Sequence, residues 1–206
     1  MDPERKRLEE KLAFMNVPRK HWDVSMDRIP DELPYKAKVR RWHELYLEAL
    51  RDGRTPAGLY LHGPLASGKT AIASGILKWA ARRRIGGYFL LAARVVAVSG
   101  ENPAVHHSTA EGVWDYVQRV PLLVLDDLMR SYSDNTYGHL LLVRLEELIR
   151  NRLVGGVTTV VTGNPDLDLL RKYHHSLASV IEEACYPLYV HGIDYRAYIR
   201  EHREPL

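Results

Sequence analysis

The sequence predicts an α/β fold, a parallel sheet of five strands enclosed between helices. Five short apolar runs, Leu59–His62, Tyr88–Ala92, Leu122–Leu125, Thr158–Val161 and Leu188–Val190, alternate with longer helical segments, which is the pattern of successive βαβ units. The runs lack the every-second-residue alternation of a half-exposed strand, so they suit strands covered on both faces. The 206 residues suffice for one substantial domain with a real core and are short for two.

Taken in order, residues 1–16 read as a short charged helix with Leu8, Leu12 and Met15 at helical spacing. The stretch "NVPRKHWDVSMDRIPDELP" carries three prolines and reads as an irregular, extended lead-in. From Tyr35 to Arg51 the chain sets Val39, Trp42, Leu45, Tyr46 and Leu50 on one helical face, and "DGRTPAG" ends it. Further helices are expected over Thr70–Arg84, Thr109–Gln118, Tyr137–Arg152 and Leu167–Ala184, the last broken near Tyr173. The organisation expected is therefore a lead-in over 1–34 and a core domain over 35–206, without internal repeats or a long linker.

Apolar residues make up 46% and charged residues 27%, the profile of a soluble globular protein. A net charge of +3 permits contact with nucleic acid without arguing for it. A single cysteine, Cys185, excludes an internal disulfide and fits a reducing cytoplasm. "YFLLAA" is cut off by Arg94, well short of a membrane span, and "MDPERKRLEEKLAF" carries charges where a signal peptide needs an apolar stretch. No membrane role is expected.

The chemistry is concentrated in three places. In "LYLHGPLASGKT", Gly63 is followed by four residues and then Gly68-Lys69-Thr70, after an apolar strand and before a helix. This is the P-loop pattern. Its glycines let the backbone turn tightly, so that the N–H groups of Gly63, Pro64–Ser67, Gly68, Lys69, Thr70 and Ala71 (proline excepted) can surround phosphate oxygens at a helix N-terminus. Lys69 is expected to reach the β- and γ-phosphates of ATP, and the Thr70 hydroxyl to complete the shell of a Mg²⁺ ion. Pro64, Leu65, Ala66 and Ser67 form the loop itself.

"VPLLVLDDL" puts Asp126 and Asp127 at the end of the third apolar run, where ligands of an open parallel sheet gather. We assign Asp126 to the metal and Asp127 to the attacking water. "TTVVTGNPD" ends the fourth run with Thr162 and Asn164. A polar side chain there can stand between the γ-phosphate and the water, and Asn164 takes that role.

These segments, with "NVPRKHW" before the core and "VHGIDYR" after it, resemble the AAA+ ATPases of the bacterial helicase-loader (DnaC/DnaI-like) and transposase-helper (IstB-like) group, over roughly residues 16–198. The resemblance implies a P-loop NTPase with sheet order 5-1-4-3-2. It further implies ATP bound between subunits of a homo-oligomer, and a task on DNA carried out through a replicative helicase or a transposase-like partner. It makes Lys69, Thr70, Asp126, Asp127 and Asn164 the Walker A, Walker B and sensor residues, and puts Val17–Trp22 near the adenine. The chain departs from the family in three ways. Val180 stands where an arginine reaching the neighbouring subunit's ATP is usual, the lead-in is too short for a helicase-gripping domain, and no substantial helical lid is expected after the last strand. Arg150, Arg152 and Arg171 are the candidates to replace the missing arginine, with Arg171 first.

Weaker signals stay open at this level. Arg82–Arg84 reads as a solvated helix end or a DNA contact, His106, His107 and Ser108 as a surface loop or a phosphate contact, and Arg196 as an anchor or a phosphate ligand. Any DNA binding is expected to be weak and sequence-independent. The adjacent histidines lack zinc-ligand spacing. Beside the ATPase reading stand a non-catalytic ATP-binding adaptor and, further off, a P-loop nucleotide or small-molecule kinase.

Overall fold

The computed structural model describes residues 2–24, 31, 33–99, 107–129, 135–192, 194, 195 and 197, without the side chains of 107–111. Helices α1 (Pro3–Phe14) and α2 (Pro34–Arg51) precede β1 (Gly58–His62), α3 (Lys69–Arg82) and β2 (Gly87–Leu91). Then follow α4 (Val95–Val98), α5 (His107–Arg119), β3 (Leu122–Leu128), α6 (Thr136–Val154), β4 (Thr158–Gly163), α7 (Leu167–Tyr173), α8 (His175–Ala184) and β5 (Cys185–Tyr189). The five strands form one sheet in the order β2-β3-β4-β1-β5, and every pairing is parallel. This is the expected order read from the other edge. The central strands are covered on both sides, which is why their sequences are almost wholly apolar. On one side Leu59, Leu61, Leu122, Val124 and Val160 pack with α1, α2 and α3. On the other Tyr60, Leu123, Leu125 and Val161 pack with α4 to α8.

Local chemistry sets the helix ends. The Asp2 carboxylate accepts from Glu4 N at 3.0 Å, and Pro3 occupies the first turn, where its missing N–H has no cost. Asn135 caps α6 by accepting from Gly138 N at 2.9 Å, and Asp166 caps α7 by accepting from Leu169 N at 2.7 Å. The break expected near Tyr173 falls at His174, whose extended backbone ends α7 and whose Nδ1 accepts from Leu177 N at 3.1 Å to start α8.

Several expectations are corrected. Leu45 and Leu50 are exposed, and the buried face of α2 is made instead by Tyr35, Val39, Trp42, Tyr46 and Ala49. The lead-in is less irregular than its prolines suggest. It contains a 3₁₀ turn over Arg19–His21, and Met15, Val17 and Val24 are buried. Phe89 N donates to Met15 O at 2.8 Å and Asn16 Nδ2 to Phe89 O at 2.9 Å, so this segment lies along β2 and covers the sheet's free edge. A 3₁₀ turn (Ala92–Arg94) and α4 follow β2 where no helix was expected. β5 begins three residues before the run read as its start. It is an edge strand with Pro187 in its middle and Tyr186 and Tyr189 exposed, so it shows no continuous apolar run. The His106–Ser108 contacts, the role weighed for Arg196 and the lid beyond β5 fall outside the described residues and side chains.

Arg152 is the largest correction. Proposed as a cation facing a neighbour, it is instead fully buried, at 0% exposure. Its Nε donates to Thr159 Oγ1 at 2.9 Å, Nη1 to Val117 O at 2.5 Å, and Nη2 to Val120 O at 3.0 Å and Thr158 O at 2.5 Å. The guanidinium thus ties the last turn of α6 to the end of α5 and the start of β4. Burial pulls its pKa down to about 9, which leaves it charged at neutral pH. Arg152→Met keeps the aliphatic stem and removes the charged donors bonded to three buried carbonyls, so it should lower unfolding free energy by about 2–4 kcal/mol. Urea denaturation reads this, and an unchanged midpoint would refute the tie.

Candidate nucleotide site

β1 ends at His62 and the chain turns through residues 63–68 into α3. The turn depends on backbone that few residues adopt. Gly63 has φ +141°, and a Cβ there would lie 2.4 Å from Val190 O; Gly68 has φ +96°, and a Cβ would press on the Tyr195 ring at 3.1 Å. Ala66 also has positive φ, at 64°, a strained conformation for a residue with a Cβ. Two bonds from the C-terminal segment hold the loop in this shape. Tyr195 N donates to Ala66 O at 2.7 Å and Val190 N to His62 O at 2.8 Å.

Lys69 opens α3 and is mostly buried. Its Nζ donates to Gly63 O at 2.9 Å, to Pro64 O at 2.6 Å and to Ser67 Oγ at 3.4 Å. Burial draws its pKa down, and the Asp127 and Asp126 carboxylates pull the other way. The ammonium is therefore held inside the loop by neutral acceptors, which anionic phosphate oxygens would outcompete.

β3 supplies the carboxylates through a break in its register. From Leu125 to Leu128 β3 advances three residues while β4 advances two, from Val161 to Gly163. This is a β-bulge, and Asp127 in it has φ 65°, a left-handed conformation that aspartate tolerates better than most residues. Its effect is visible in the packing. Leu123, Leu125 and Leu128 all reach the same core, which strict alternation forbids, and both Asp126 and Asp127 line one cleft. Thr162 of β4 locks the bulge: its Oγ1 donates to Asp126 Oδ1 at 2.7 Å and accepts from Asp127 N at 2.9 Å. Asp126 is 3% exposed. Burial raises its pKa, while hydrogen bonds from Thr162 and Thr70 oppose the rise.

The cleft, ≈ 1280 Å³, is lined by the loop residues Leu65–Ala71 and by Asp126, Asp127, Thr162 and Asn164. Asn164 is exposed just past β4. Gly63 and Pro64 line a second depression on the outer side of the loop, of ≈ 710 Å³, which Asn164 also borders. Asn16, Val17, Pro18, Lys20 and His21 form part of the main cleft's wall. Trp22 does not; its Nε1 donates back to Val17 O at 2.8 Å and fixes the segment's turn. Sequence reasoning missed Thr162 as the clamp on the Asp126 carboxylate and the Asp127 backbone, and missed Tyr195 and Arg94 in the cleft wall. The other two proposed arginines are engaged on the surface. Arg171 bonds Asp168 at 2.6 Å and Glu182 at 2.5 Å, and Arg150 bonds Glu146 at 2.9 Å. Val180 is buried in the core beneath α8. Among the described residues no helix is long and apolar enough to cross a membrane.

The architecture, a P-loop leading into a helix beside a parallel sheet of order β2-β3-β4-β1-β5, is shared with solved structures. DnaI superposes with a TM-score of 0.71 at 21% identity, covering 87% of this chain and 94% of its own. The chain has the fold of DnaI. The DnaC helicase loader gives a TM-score of 0.66 at 18% identity, over 84% of this chain and 100% of that one. The replication initiator DnaA bound to AMPPCP and single-stranded DNA gives 0.64 at 15% identity, over 90% of this chain and 56% of that one. In sequence, the chain is 41% identical over 61 residues to an ORC1-type DNA replication protein 1 of Aeropyrum pernix, a match that spans 29% of this chain and 15% of that protein. No protein-family model matches the chain.

The raised pKa of Asp126 has a consequence for stability. A carboxyl that holds its proton more tightly when folded than unfolded is stabilised by acid. Its ionised burial costs stability in full above the raised pKa, and the cost fades as pH falls through that value towards the ordinary carboxylate range. Asp126→Asn keeps an oxygen acceptor for Thr162 and removes the charge, so the variant should melt at the same temperature or higher at pH 7.5. Its advantage should shrink towards pH 4. A lower melting temperature at pH 7.5 would show that ionised Asp126 contributes net stability.

Proposed function

We propose that this chain is an ATP-binding and ATP-hydrolysing molecular switch acting on DNA through a partner protein. The observation that carries the reading is the bulge that turns both Asp126 and Asp127 into the cleft of the phosphate loop. A loop that only held phosphate would need neither carboxylate. The β- and γ-phosphates would lie against the N–H groups of 65–71 and exchange places with the carbonyls that now accept from Lys69. The Asp127 carboxylate would accept the proton of a water attacking the γ-phosphate, and the Asn164 side chain would orient that water. The adenine would lie along the wall formed by Asn16–Pro18 and His21.

The residues also fit a magnesium ion. The Thr70 hydroxyl and the buried Asp126 carboxylate, bonded to one another, are hard oxygen donors, and an added cation would offset the burial that raises the Asp126 pKa. When bound, the ion would neutralise charge on the phosphate oxygens.

The likeness to DnaI, the DnaC helicase loader and DnaA supports a role in DNA replication with a replicative helicase as the partner; a transposase-like partner rests on the sequence resemblance alone. Weak, salt-sensitive DNA contacts and assembly into a homo-oligomer belong to the same reading. A non-catalytic adaptor is the second reading. Val180, an apolar residue in the core, favours it, because it leaves no arginine at that position for a neighbour's ATP.

Lys69→Ala should abolish nucleotide binding or weaken it by about a hundredfold, since it removes the loop's only side-chain cation. Titration with a fluorescent ATP analogue reads this, and unchanged affinity would sink the assignment. Asp127→Asn should bind ATP with nearly wild-type affinity and release phosphate at least about a hundredfold more slowly. Tight binding with no turnover in the wild-type chain, with DNA and partner present, would favour the adaptor.

A further inference from the structure

Hydrolysis by this cleft needs one more group. As the γ-phosphoryl moves from the β-phosphate to water, negative charge grows on its oxygens and on the leaving oxygen, and an arginine from outside the P-loop commonly neutralises it. The arginines expected to do so are committed elsewhere. Arg152 is bonded in the core, Arg150 to Glu146, and Arg171 to two carboxylates of its own chain.

Among the described residues one arginine lines the cleft, and it is Arg94. It ends the 3₁₀ turn that follows β2, and this turn is firmly anchored. Ala92 before it is 1% exposed, and Val95 and Val96 after it are 0% and 2% exposed. Leu91, the last residue of β2, is paired with Asp126. Arg94 follows Leu91 by one 3₁₀ turn, and its side chain lines the same cleft as the two carboxylates. Its side chain is exposed. Among the described residues its guanidinium has no hydrogen-bond or ion-pair partner. A planar cation with paired donors suits two phosphate oxygens better than an ammonium does.

We propose that Arg94 is a catalytic residue supplied within the same chain, whose guanidinium binds the terminal phosphate of ATP during cleavage. The inference rests on the ATP-hydrolysing reading above. The water oxygen bonds to the γ-phosphorus as the bond from that phosphorus to the bridging oxygen breaks. The water's proton passes to the Asp127 carboxylate, and ADP and inorganic phosphate leave. Arg94 gains and loses no proton; it balances the charge that the three phosphoryl oxygens and the leaving oxygen carry midway. A site completed in this way needs no arginine from a neighbour, so Val180 is no longer a defect in it.

Three measurements on the full chain test this. Phosphate release at saturating ATP and magnesium is followed over a wide range of protein concentrations, for wild type, Arg94→Ala and Arg94→Lys. Affinities for ATP, for ADP and for ADP with aluminium fluoride are measured on the same samples, and circular dichroism checks that each variant is folded. The expected result is wild-type turnover per chain independent of protein concentration. Arg94→Ala should lower kcat about a hundredfold or more, with ATP and ADP affinity kept within about threefold and the gain in affinity from aluminium fluoride lost. Arg94→Lys should fall between the two. A merely structural role would move affinity and fold together with kcat. Wild-type turnover in folded Arg94→Ala would overturn the proposal, as would turnover per chain that rises with concentration in wild type and variant alike. A wild-type chain that binds ATP without hydrolysing it overturns the role of Arg94 and leaves the binding site standing, whereas one that binds no ATP overturns the nucleotide reading itself.

Discussion

The Thr162 hydroxyl is the point on which the site depends. One oxygen donates to the Asp126 carboxylate and accepts from the Asp127 backbone, and it does so from β4, the strand between β3 and β1. Without that clamp the N–H of the left-handed Asp127 would lose the hydroxyl that accepts from it. With it, two neighbouring residues that a regular strand would send to opposite faces serve the same cleft. The core gains by the same device, because the extra residue returns Leu128 to the face already occupied by Leu123 and Leu125.

Around the cleft the protein holds conformations and charges that are unfavourable in isolation. Ala66, Asp127 and Met129 all have positive φ, and Lys69 and Asp126 are buried ions whose pKa values burial shifts toward neutrality of each group. Such features persist only where the surroundings over-determine them. Here the surroundings are the closely covered strands β1, β3 and β4, with Arg152 tying the far end of β4 to α5 and α6.

The sequence made the local signals readable. The glycine-rich turn, the paired aspartates and the Thr-Gly-Asn end of β4 each announce themselves within ten residues, because each is a strand end with a polar departure from an apolar run. What it concealed was nonlocal. Arg152 looks like any basic helix end until α5 and β4 present it with three carbonyls. The bulge cannot be read from "LLVLDDL", since nothing in one strand reports the register of its partner. The start of β5 hid behind Pro187 and two exposed tyrosines, and Arg94 looked like the mere end of an apolar run.

Both ends of the described chain converge on the phosphate loop. The segment that leaves α1 covers the edge of β2 and then forms a wall of the cleft. The segment that leaves β5 donates to His62 O and Ala66 O and lays the Tyr195 ring on Gly68. A loop supported in this way is not an independent element. Its strained shape at Ala66 is stabilised by the docking of Val190 and Tyr195, and by linkage any ligand that favours that shape must favour the docking equally.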